Sequence, residues 1–152
     1  MSPRLHAAAG IGAMLCIGAF LCATIAAELA GSAATIASVK RGILWCLLLL
    51  LPLMAAAGIS GAILARDRTG ALVRRKLLRM RFIAANGLCL LLPCAFVLSS
   101  RANAGHFDIL FYTVQLVELA AGILQLAMMA LNARDGMRLS RNGKHIPNSK
   151  EI

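Results

Sequence analysis

Charge is the scarcest commodity in this chain. Only 14% of its 152 residues are Asp, Glu, Lys or Arg, and just six of them are acidic. Soluble domains carry about a quarter charged residues, so water is a poor solvent for such a sequence. Aromatic residues are scarce as well, at 5%, with one Trp and one Tyr. Basic stretches without interleaved rings, and without a nucleic-acid motif, argue against a nucleic-acid partner despite a net charge of +10. The five cysteines (Cys16, Cys22, Cys46, Cys89 and Cys94) form no C-x-x-C, and all fall within apolar runs. Cys16 with Cys22, and Cys89 with Cys94, would point to different sides of their helices, so these thiols read as small packing residues. The only histidines are His6, His106 and His145. They are too dispersed to flank a haem or to ligate a metal. We therefore expect no cofactor and no metal, and rank a haem- or quinone-binding redox accessory subunit as the remotest reading.

What the chain has in abundance is apolar length. Hydrophobic residues make up 60% of it, and a bilayer core is crossed by roughly 20 apolar residues in a helix. Four segments qualify, at about residues 7–27, 42–65, 82–100 and 107–133. The expected fold class is all-α: an integral membrane four-helix transmembrane bundle over residues 1–133. A basic tail, residues 134–152, reads as disordered. The first apolar run follows Arg4 as a signal peptide would, but it exceeds the roughly 7–15 residues of a signal h-region, so we expect an uncleaved first helix.

The basic residues explain themselves as topology markers. Between spans two and three lies "RDRTGALVRRKLLRMR", with seven Arg or Lys against one Asp. By the positive-inside rule this loop is cytoplasmic, and helix alternation then puts both the N- and C-termini there. Lys40 and Arg41, on what becomes an outer loop, are the one dissent. Arg74, Arg75, Lys76, Arg79 and Arg81 are expected to contact anionic lipid. They do so either from a short amphipathic helix on the leaflet or from an anchor continuing into span three. Within the spans, Pro52 and Pro93 each remove a backbone donor and permit a kink.

The fourth span carries the chemistry. Asp108, Phe111, Gln115, Glu118, Gly122, Gln125, Met129 and Asn132 recur every three or four residues, which gathers them on one arc of the helix. Lipid cannot satisfy such a stripe, so protein or water must face it. Matching depths at ~1.5 Å per residue pairs Gln125 with Asn86 of span three. Glu118 falls near the midplane, and with span two starting at residue 42 no basic residue shares its depth. Its carboxyl is then protonated, hydrogen-bonded to a neighbour, or facing water. Gln115, Glu118, Gln125, Asn86 and Asn132 form the candidate intramembrane site.

Small residues supply candidate helix-packing positions at Gly12, Cys16, Gly58, Gly61 and Gly122. The "GISG" at Gly58–Gly61 resembles the Gly-x-Ser-Gly around the nucleophile of rhomboid intramembrane proteases. That family has at least six spans and a histidine base inside the membrane; here His6 could reach the depth of Ser60, with nothing to orient it. No other enzymatic constellation is present. The sequence therefore points to a small polytopic protein of a bacterial inner membrane. It would act without catalysis, by helix–helix association, as an accessory or assembly subunit. A homo-oligomer or a larger membrane-protein complex, with the bilayer and its anionic lipids, is the expected set of partners. The alternative is a small homo-oligomeric transporter or channel built on Glu118.

Overall fold

A computed structural model describes residues 3–66 and 70–142. Five α-helices and one π-helical turn account for nearly all of them: α1 (Pro3–Ala30), α2 (Ala33–Ala65), α3 (Ala71–Asn86), the π turn (Gly87–Leu91), α4 (Leu92–Asn103) and α5 (Ile109–Asn142). Four helices are long and apolar enough to cross a membrane, because α3, the π turn and α4 form one continuous path.

Local chemistry sets the breaks. Gly31 ends α1, its N–H bonded to Ala27 O at 2.9 Å. A Cβ at this position would lie 2.4 Å from that same carbonyl oxygen, so a side chain is excluded. Ser32 then caps α2 by accepting from Thr35 N at 3.3 Å. Two residues thus suffice to reverse the chain. The long outer loop expected over residues 28–41 is not formed: α2 starts at Ala33, and Lys40 and Arg41 are two turns inside it. The hydropathy window missed those turns because they are rich in small and polar residues rather than leucine.

Pro93 has no N–H and its ring crowds the carbonyl four residues back. The π turn immediately before it, closed by Leu92 N–H to Gly87 O, widens the helix so that the path continues. Pro52 sits inside α2 without interrupting it. At the far end of α4, Gly105 adopts φ 73°, and His106 N–H returns to Arg101 O at 2.9 Å, an αL cap that stops the helix. Asp108 starts α5 by accepting from Phe111 N–H at 3.1 Å.

The basic stretch Ala71–Arg81 belongs to α3, which is continuous through the π turn with α4, the third helix path long and apolar enough to cross a membrane. Residues 134–142, expected to be disordered, instead continue α5; the remainder of that tail, and residues 67–69 of the basic loop, lie outside the described residues.

Two apolar clusters make the interior. Ala13, Ile17, Leu47, Leu50, Ile83, Ala95 and Met129 fill the middle. Ala27, Ile36, Leu98, Ala102 and Phe111 fill the end where α1 turns into α2 and α4 into α5. Large apolar side chains also cover the outside, among them Leu15, Trp45, Leu48, Phe82, Leu116 and Ile123. A surface this apolar suits hydrocarbon and not water.

The α5 polar face as candidate functional site

α5 presents one face inward, and the polar stripe lies on it. Phe111, Gln115, Gly122, Gln125, Met129 and Asn132 are all buried. Other helices engage this face in four tiers. At the α4–α5 loop, Asp108 pairs with Arg101 of α4. About ten residues further, Glu118 Oε2 accepts from Lys40 Nζ of α2 at 2.5 Å. Next, Gln125 Oε1 accepts from Asn86 Nδ2 at 2.8 Å, while Gln125 Nε2 donates to Ile83 O at 3.1 Å and Asn86 also donates to Ala121 O at 3.1 Å. Last, Arg79 Nη1 of α3 donates to Asp135 Oδ2 at 2.7 Å and to Asn132 Oδ1 at 3.4 Å.

The second tier corrects the expectation for Glu118. A basic residue does share its depth, and it is Lys40, whose side chain is only 2% exposed. Lys40 also reaches Thr24 Oγ1 of α1 at 3.5 Å, so the pair ties three helices together. A signal for it was present. Ile36, Lys40, Ile43, Leu47 and Leu50 are buried in α2 at helical spacing, which puts Lys40 on the inward face once the helix is extended back to Ser32. The Asn86–Gln125 bond joins the two residues that depth matching selects. Gln115 is different: it is 4% exposed, and neither amide atom has a hydrogen-bond partner among the described residues.

Arg79 stands apart from the other residues expected at anionic lipid. Its guanidinium is turned inward to Asp135, whereas Arg74, Arg75 and Arg81 are exposed and Lys76 is half-buried. Among the small residues, Gly61 lies where three helices converge: a Cβ there would come within 2.4 Å of Met80 Cε and 2.9 Å of His6 Cε1. At Gly122 it would meet Leu21 of α1 at 3.0 Å, and at Gly12 it would make ordinary contact with Leu53 at 3.4 Å. Cys16 packs against the central cluster. Gly58 is not a close-packing position, since a Cβ there meets nothing within 4 Å. It borders open space instead.

That space is two cavities. One, of about 360 Å³, is walled by all five α-helices and the π turn; its lining is apolar apart from Thr24, Glu118 and Gln125. The other, of about 440 Å³, lies at the end where Arg79 meets Asp135.

His6 does reach Ser60, but not as a base reaches a nucleophile. Its Nδ1 is 3.0 Å from Ala57 O and 3.1 Å from Ser60 Oγ. A carbonyl can only accept, so Nδ1 carries the proton and donates. The Ser60 hydroxyl in turn donates to Ala56 O at 2.5 Å. The same ring nitrogen therefore has no lone pair with which to take the serine proton. All five cysteines are free thiols, and among the described residues no three His, Cys, Asp or Glu side chains are grouped to hold a metal.

Outside the spans, the Asp108 carboxyl is held below the usual carboxylate range, first by the Phe111 N–H it caps and then by the Arg101 guanidinium. Comparison with protein-family models, with characterised proteins and with solved structures returns no match.

Proposed function

We propose that this chain is an accessory or assembly subunit of a membrane complex, acting through helix–helix association and without catalysis. The carrying observation is the polar stripe of α5 and its N-cap, whose carboxylates Asp108 (exposed, at the cap), Glu118 and Asp135 are each engaged by a basic residue of another helix. Polar groups committed in this way fix helix register and rotation, and among the described residues no carboxylate of the α5 stripe is left without a basic partner. The two middle tiers are offset along the helix, with ~10 Å between Glu118 and Gln125.

In this reading the basic end faces the cytoplasm, of a bacterial inner membrane. The start of α1, the end of α2, the start of α3 and the end of α5 all meet there, joined by His6 to Ser60 and Arg79 to Asp135. The two charges that opposed this orientation are weakened as markers: Lys40 is buried on Glu118, and Arg41 is bonded to Asn103. Replacing the exposed Ala71 with cysteine tests the orientation with a membrane-impermeant thiol reagent. Intact cells should protect it, and labelling from outside would reverse the assignment.

One observation favours a second reading as a small homo-oligomeric transporter or channel. Glu118 borders the 360 Å³ cavity while paired to Lys40. The deciding experiment extracts the protein from native membranes in mild detergent and measures its mass, alongside ion flux in liposomes. An assembly well above the 16.0 kDa of one chain, with no flux, supports the subunit reading. A flux that disappears in Glu118→Gln, with the assembly unchanged, would replace it with the transporter.

A further inference from the structure

The 360 Å³ cavity has one side that the fold leaves ajar. The backbone of the π turn lies against α5 and stands off α2. Leu51 and Ile59 of α2 and Leu88 of the π turn line the cavity yet are exposed, so this gap opens sideways to the outside of the bundle. From Ile43 to Ile59 the lining runs ~24 Å along α2. Small-molecule pockets span roughly 300–1,000 Å³, so a space this long at about 360 Å³ suits one unbranched chain.

Three polar side chains line the space, and one of them is open to a guest. Gln125 is fully buried with both amide atoms engaged, and Thr24 is buried against Lys40. Glu118 keeps 12% exposure against 2% for Lys40, and Glu118 borders the cavity where Lys40 does not. Charge then decides what the carboxylate can receive. Lys40 already neutralises it, so an entering cation would leave a net positive charge in an apolar space. An anion would meet the carboxylate itself. A neutral hydroxyl brings no charge and donates to an ionised acceptor, the stronger kind of hydrogen bond.

We infer that this cavity binds a single-chain neutral lipid alcohol, which enters between α2 and the π turn. Its hydroxyl donates to Glu118 and its tail runs toward Gly58. One copy of the protein forms the whole site.

The test photolyses dodecanol carrying a diazirine at its tail with the full chain in phosphatidylcholine nanodiscs. Peptide mass spectrometry reads the labelled residues, which should lie around Met54 and Gly58. Unlabelled dodecanol should compete about tenfold better than dodecyl methyl ether or dodecyltrimethylammonium, which have no donor, the effect of one hydrogen bond to a charged group. In the double variant Lys40→Met, Glu118→Leu, which keeps the site neutral, alcohol and ether should compete equally. A Cβ at Gly58 meets nothing within 4 Å, so Gly58→Leu should fold, fill the space and abolish the label. Gly10→Leu, which fills only the other cavity, should label as the parent does. Equal competition by alcohol and ether in the parent would overturn the inference, because the cavity would then take any apolar chain. Stronger competition by the ammonium would do so too, making Glu118 a cation site. So would unchanged labelling in Gly58→Leu, or a preference for the alcohol that survives the loss of Glu118.

Discussion

Two ion pairs hang on the same helix ten residues apart and have little else in common. Arg101–Asp108 sits at the α4–α5 loop with side chains 24% and 51% exposed, where water and salt share the charges. Lys40–Glu118 sits within the bundle at 2% and 12%. Exposed pairs contribute ~0–1 kcal/mol. A buried pair gains little net stability from existing, because desolvation offsets the attraction, yet losing one partner strands the other and is severe. The contrast teaches what each pair does: the outer one trims a helix start, and the inner one specifies which helices meet and in what rotation.

The sharpest way to break the comparison is to remove Lys40 alone. Lys40→Met should destabilise the bundle by about 3–5 kcal/mol, read as unfolding in mixed detergent, because Glu118 is left uncompensated. The double variant Lys40→Met, Glu118→Leu should recover most of that loss; if it does not, the pair is more than a matched set of charges. Second in size is Arg79→Ala. Its partner Asp135 is buried but the guanidinium is partly exposed, so about 1–2 kcal/mol is expected in the same assay. A loss as large as that for Lys40 would erase the distinction between interior and end.

The neutral tier should come third. Asn86→Leu removes the bonds to Gln125 Oε1 and Ala121 O, and interhelical hydrogen bonds in membranes average roughly 0.6–1 kcal/mol. The smallest effect is the loop pair under acid. The folded Asp108 pKa is lowered, so its contribution is fully present above the unfolded value of about 3.9 and is lost as pH falls through the folded one. Melting temperature should therefore decline slightly below about pH 4, and Arg101→Gln should weaken that dependence. An unchanged slope in the variant would leave the Phe111 N–H as the whole cause.

Much of this architecture is legible without coordinates. Four apolar runs of bilayer length mark four helices long and apolar enough to cross a membrane, and a three-four spacing on the last run marks which face turns inward. Matching Asn86 to Gln125 by depth needs only the rise per residue. The failures have one origin. An apolar-length rule started the second span at Gly42, where the leucines begin, although Gly31 and Ser32 carry the turn and cap that start the helix nine residues earlier. That shift alone hid the partner of Glu118. Gly58 shows a second limit: Gly-x-Ser-Gly spacing puts both glycines about 60° apart on one helix face and announces close packing at both, yet only Gly61 meets neighbours, because Gly58 borders the two cavities.

By itself, then, the amino-acid sequence determined the helices, their apolar exteriors and the polar face of α5, since each depends on side chains a few residues apart on one helix. Only the tertiary structure decided that Lys40 faces Glu118, that Arg79 turns to Asp135 and that Glu118, but not Lys40, borders a cavity. Those outcomes rest on the rotation and axial offset of whole helices, where a shift of one turn, ~5.4 Å, changes every partner.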